Sequence, residues 1–142
     1  MGLLSKFFNN ARKPAGFLGK MMVNAQAIRE SRCKVVEGAV AELPFGKDTF
    51  DMVTAFETIY FWPDIEHCFN EVKRVLKDGG VFAIVNEDDG LSGTNERWEK
   101  IIDGMHTYTP QEIRLHLTNT GFSDINVERN ETKHWLMATA KK

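Results

Sequence analysis

Residues Phe69-Asn-Glu-Val-Lys-Arg-Val-Leu-Lys-Asp-Gly-Gly80 run straight into Val81-Phe-Ala-Ile-Val85. In the first part the apolar positions return every three or four residues. Ile65, Cys68, Phe69, Val72, Val75 and Leu76 fall on one stripe, the mark of a helix that buries one face. Asp64 stands where an N-cap acceptor is wanted, directly after Pro63. Lys77-Asp-Gly-Gly80 breaks the period, and glycine suits the left-handed residue that closes a helix. The five apolar residues that follow present no polar side to water, which predicts a strand covered on both faces, as in a parallel sheet. A helix feeding such a strand is half of an α/β unit.

Working outward, Phe50-Asp-Met-Val-Thr-Ala55 reads as a second buried strand, and Leu43-Pro-Phe-Gly46 as a turn before it. Cys33-Lys-Val-Val-Glu37 is a third β-rich run, closed by Gly38. Further upstream, Phe17, Leu18, Met21, Met22, Ala25 and Ile28 are spaced for a helix over 16–31. Downstream, Trp98, Ile101 and Ile102 predict a short helix over 94–103. Thr109-Pro-Gln-Glu112 is a capping box with proline at the first helical position, opening a helix that stops at Gly121. Residues 124–129 and 134–140 alternate apolar and polar, as a terminal β-hairpin does. The expectation is one α/β domain over 1–142. It has an N-terminal helical segment (1–31) and a core (33–141) whose sheet is mainly parallel with an antiparallel hairpin at its end.

Composition narrows the function classes. The 142 residues are 42% hydrophobic and 27% charged with a net charge of −2, so bulk electrostatics give no reason to expect nucleic acid as a partner. No apolar run nears the ~20 residues of a membrane span. The two cysteines, Cys33 and Cys68, form no CxxC pair, and the four histidines are scattered. We expect no metal site, free thiols in a reducing compartment and a cytoplasmic protein. The apolar start Met1 to Phe8 is too short for a secretory signal.

The segment Val35-Val-Glu-Gly-Ala-Val-Ala-Glu-Leu-Pro-Phe45, with Thr49-Phe-Asp-Met-Val53 after it, resembles the middle of class I S-adenosylmethionine-dependent methyltransferases. The likeness is to the small-molecule enzymes related to those of ubiquinone and menaquinone biosynthesis. The helix at 69–80, the strand after it and Gly121-Phe-Ser-Asp124 are similar to that family's later blocks. The resemblance covers about residues 33–141. It implies a Rossmann-like sheet of strand order 3-2-1-4-5-7-6, of which this chain would hold strands three to seven, at 33–37, 50–55, 81–85, 124–129 and 134–140. It also implies S-adenosylmethionine as cofactor.

The cofactor loop of that family is a glycine-rich turn after the first strand, where backbone approaches the ligand closely. Here the eleven glycines lie at 2, 16, 19, 38, 46, 79, 80, 90, 93, 104 and 121. No two are separated by a single residue, so the GxG core is missing. Position 39, where the resemblance implies an acid for the adenine amino group, is alanine. What would remain of a cofactor site is a wall made of Gly38, Ala39, Val40, Ala55 and Phe56. Glu57, Tyr60 and Trp62 after the fourth strand, Asn86 and Glu87 after the fifth, and the loop residues His106 and Tyr108 are the substrate-side candidates. His106 is the one imidazole among them that could accept a proton near neutral pH. No catalytic nucleophile stands out.

Two readings follow. In one, this is a methyltransferase whose lineage acts on a small molecule, impaired or inactive as this chain. In the other it is a non-catalytic remnant that serves as a structural or oligomerisation module. Loss of two strands leaves edges exposed, and unpaired edges recruit other strands. Either the gap closes within the chain, with the third strand moving beside the fourth, or a second copy supplies a strand to make a homodimer.

Overall fold

The computed structural model describes residues 24–93 and 95–142. One compact unit ends at Glu37 and the other runs from Gly38 to Lys142. In the first, α1 (Ala25–Arg29) is the described part of the helix predicted over 16–31; residues 16–23 of that prediction lie outside the described residues.

The second unit contains a four-stranded sheet. Its elements are β1 (Phe50–Phe56), a 3-10 turn (Ile59–Phe61), α2 (Ile65–Val75), β2 (Leu76–Asn86), α3 (Asn95–Ile101), α4 (Pro110–Asn119), β3 (Ser123–Asn130) and β4 (Trp135–Lys141). The strands lie in the order β1-β2-β4-β3. β1 and β2 are parallel, whereas β4 runs antiparallel to both β2 and β3. This is the 4-5-7-6 half of the expected order, with the α/β class as predicted.

The third strand is absent from it. Residues 33–38 are irregular and belong to no ladder. The reason is topological: in the order 3-2-1-4-5-7-6 the third strand touches only the second. Without that neighbour among the described residues, these five β-prone residues enter no ladder, and Val36 stays 38% exposed. Among the described residues β1 has β2 as its ladder partner.

α2 forms as the sequence suggests. The Asp64 carboxylate accepts the His67 amide at 3.2 Å, and Ile65, Cys68, Phe69, Val72 and Val75 are all buried. Its end differs from the expectation. The chain leaves the helix at Leu76, which is already extended (φ −73°, ψ 142°), and no glycine serves as cap. Lys77 to Gly80 instead form a bulge inside a longer β2. Phe50 pairs with Leu76 and Met52 with Val81, so β2 spends three more residues than β1 there. Gly80 is required at that point, because a Cβ would lie 2.8 Å from Lys77 O and 3.2 Å from Asp51 O.

The core lies between the sheet and its helices α2 and α4. Phe69 meets Phe82 edge-on at 5.3 Å, and Phe82 packs on Phe122 at 5.8 Å. Ala55, Ile84, Ile113, Leu117, Leu136 and Ala138 complete it. The Thr109 capping box is present on both sides, with Thr109 N–H and Oγ1 each 2.8 Å from the Glu112 carboxylate.

Candidate functional site

The bulge fixes where β1 and β2 end. Beyond it the two strands stay in step, from Met52 with Val81 to Phe56 with Val85. Their C-terminal ends therefore share one edge, the place where open α/β sheets bind ligands. β4 starts at the same edge, since Leu136 pairs with Asn86.

Glu57 follows β1 in a left-handed conformation (φ 54°). Its carboxylate accepts the Glu87 amide across the strand ends. Partial desolvation, helped by the charges of Glu87 and Asp88, pushes the Glu57 carboxyl above its usual range, although the bond from the Glu87 amide opposes this. Tyr60 is buried in the 3-10 turn, where its hydroxyl accepts the Asp88 amide at 3.1 Å and its carbonyl accepts the His106 amide at 2.9 Å. Burial pushes its phenol above the usual range. Glu57 and Tyr60 thus tie the loop after β2 to the end of β1.

Of the other substrate-side candidates, Asn86 is 1% exposed, and neither polar atom of its side chain has a hydrogen-bond partner among the described residues. A buried amide without protein partners is a group that solvent or a ligand satisfies. Glu87 is exposed beside Glu57. His106 is half exposed, with Glu99 and Glu112 each 3.7 Å from its ring. Trp62 and Tyr108 pack into the core instead of standing open. Trp62 stacks parallel to Phe82 at 6.3 Å, and Tyr108 is 8% exposed.

Sequence reasoning missed Asp89. Its carboxylate is fully buried and gathers the Leu91 amide at 3.0 Å, His134 Nδ1 at 3.2 Å and Arg129 Nε at 3.3 Å. It was hidden in the polar run Asn86 to Gly90, and its partners come from the hairpin some forty residues on. Thr107 is also buried, with its hydroxyl unpartnered among the described residues. Gly90 lets the two loops touch, because a Cβ there would lie 3.1 Å from both Thr107 O and Thr109 N.

The cofactor-side candidates are arranged differently. Gly38 is closed by Pro44: a Cβ on it would meet the proline ring at 2.9 Å. Ala39 forms an isolated bridge with Glu42. Ala41 O lies 2.9 Å from His67 Nε2, and the Leu43 amide donates to Glu71, so this turn is fastened to α2. Ala55 is buried in the core and Phe56 is 49% exposed. With Gly38 closed by Pro44 and Ala55 buried in the core, these residues present no open glycine backbone for a nucleoside, so they do not fit S-adenosylmethionine as a complete site. Among the described residues no three His, Cys, Asp or Glu side chains are grouped to hold a metal ion, and no helix is long and apolar enough to cross a membrane.

A family profile for the methyltransferase domain matches residues 18–84. Erythromycin 3''-O-methyltransferase of Saccharopolyspora erythraea is 34% identical over 162 aligned positions, covering 96% of this chain and 53% of the relative. A solved S-adenosylmethionine-dependent methyltransferase from Mesorhizobium loti has the same fold at a TM-score of 0.68. It is 17% identical, over 87% of this chain and 76% of that one. The chain belongs to the class I S-adenosylmethionine-dependent methyltransferase family. A chloroplastic 2-methyl-6-phytyl-1,4-hydroquinone methyltransferase of Arabidopsis thaliana is 40% identical to this family member over 99 residues, 68% of the chain and 28% of the relative. The chain thus spans about half or less of the length of these curated relatives. The alignment with the Saccharopolyspora enzyme is longer than the 142 residues of the chain itself. That relative therefore carries residues inside the matched region that have no counterpart here.

Proposed function

We propose that this chain keeps the acceptor-side half of a small-molecule methyltransferase and does not transfer a methyl group by itself. The observation that carries the reading is the state of its glycines. No GxG pair exists in the sequence, and Gly38, the one glycine of the expected cofactor wall, is closed by Pro44. Methyl transfer from a sulfonium relies on the protein for binding and alignment. A chain that cannot hold the donor has nothing to align. The acceptor side keeps more: Glu57, Tyr60 and the unpartnered Asn86 remain at the strand ends. The two relatives act, by their names, on erythromycin and on a hydroquinone, which supports a small-molecule acceptor for the lineage.

Calorimetric titration of the full chain with S-adenosylmethionine and with S-adenosylhomocysteine tests this. The expected result is no saturable heat at protein concentrations where a micromolar dissociation constant gives a clear isotherm. A micromolar constant for either ligand supports the catalytic reading instead and overturns this one.

A further inference from the structure

β1 has the composition of an interior strand and the position of an edge. Phe50-Asp-Met-Val-Thr-Ala-Phe56 carries a single charge, Asp51, already held by Lys77 at 2.7 Å. Met52 and Phe56 are 54% and 49% exposed. Natural edges are blunted by charges, prolines or bulges directed outward. The opposite edge, β3, obeys that rule, with Asp124, Glu128 and Arg129 among its eight residues. β1 does not: its bulge lies on the β2 side, and its outer backbone groups have no ladder partner among the described residues.

We propose that the occupant of this edge is the β1 strand of a second copy of the chain, paired antiparallel about a two-fold axis through Val53. The strand is self-complementary in that register. Phe50 comes opposite Phe56 of the second copy, and Met52, 54% exposed, opposite Thr54. Val53 meets its own equivalent, and Asp51 faces Ala55, so no like charges are opposed. Cross-strand apolar and aromatic pairs of this kind are the stabilising unit of antiparallel sheets. Beyond the strand ends Lys47 stands next to Asp48, which Lys142 already pairs, and Lys77 is held by Asp51, so the contact rests on the apolar pairs of the strand itself. Such a contact is isologous, as closed dimers require. It gives one eight-stranded sheet with both charged β3 strands outermost. This assembly is independent of whether a cofactor binds.

The test is light scattering after size exclusion on the full chain, across a micromolar to sub-millimolar dilution series, for the wild type and for Met52→Lys/Thr54→Lys. Both positions are exposed, and the register places the new lysines against each other in pairs. The expected result is twice the mass of one chain for the wild type and the mass of one chain for the variant, with unchanged far-ultraviolet dichroism. A wild type that stays monomeric throughout overturns the proposal, and so does a folded variant that stays dimeric. If the variant does not fold, amide exchange on the wild type decides. Protection of β1 amides that rises with concentration while β3 amides stay constant supports the pairing; equal exchange at all concentrations refutes it.

Discussion

Alanine at Gly79 and at Gly80 should have unequal costs, and the difference tests the bulge that sets the strand ends. Gly79 is left-handed (φ 76°) with nothing within 4 Å of a built Cβ. Its substitution therefore pays only for a non-glycine residue in that conformation, about 1 kcal/mol. Gly80 has an ordinary φ, but its Cβ would lie 2.8 Å from Lys77 O, 3.1 Å from the Leu76 side chain and 3.2 Å from Asp51 O. Two of those neighbours are backbone, one on each side of the β1–β2 junction, so neither can move alone. Overpacking of this kind costs about 1–3 kcal/mol, and we place Gly80→Ala at the upper end, roughly 3 kcal/mol. Urea unfolding followed by tryptophan fluorescence measures both. The variant should also loosen the β1 end, because Met52 to Phe56 take their register from this point. Faster amide exchange at Glu57 and Glu87 is the local readout. If Gly80→Ala is no more destabilising than Gly79→Ala, the reading of Lys77 to Gly80 as a required bulge is wrong.

The Glu71 carboxylate is held at about 2, well below its usual 4.5, first by its hydrogen bonds to Arg74, with help from the Leu43 amide. A lowered folded-state value means stability that is full above about pH 4.5 and is lost as pH falls toward 2. Arg74→Gln should flatten that acid limb in a pH titration of the thermal midpoint; an unchanged limb refutes the assignment. Phe82→Ala removes a ring that is 1% exposed and packed on Phe69, Trp62 and Phe122. It should cost about 3–5 kcal/mol by denaturant unfolding; a loss under about 1 kcal/mol contradicts the aromatic core described here.

What could be read from the sequence was what local chemistry decides. The α2 stripe needs only 3.6-residue spacing, and the capping box at Thr109 needs only a threonine and a glutamate three residues apart. The alternating hairpin is equally local. The sequence misled where a neighbour decides the outcome. Cys33 to Glu37 has the residues of a strand, but pairing requires a partner, and among the described residues there is none. Lys77 to Gly80 carries helix-stop residues, yet its conformation follows from the close approach of Asp51 and Lys77 backbone to Gly80. The candidate site divides the same way. Glu57 and Asn86 were legible because they follow predicted strands. Asp89 was not, because Arg129 and His134 reach it from a hairpin far along the chain, and only the fold makes their charges neighbours.

Recognisable family sequence and a complete family site are different things here, for a structural reason. The blocks that carry the resemblance build β1, α2 and β2, and each of these is stabilised by its immediate neighbours. β2 buries Phe82 and Ile84 in the core and is paired on both edges, by β1 and β4. Removing strands beyond β1 therefore leaves the core around Phe69 and Phe82 intact. β1, by contrast, keeps side chains suited to an interior position while one of its edges has no ladder partner among the described residues. The surviving half has two consequences that can be separated by experiment. The proposed failure to bind the donor rests on the missing GxG turn, whereas the proposed self-association rests on the unpaired β1 edge. A chain repaired at the edge by Met52→Lys/Thr54→Lys should become monomeric without gaining any affinity for S-adenosylmethionine.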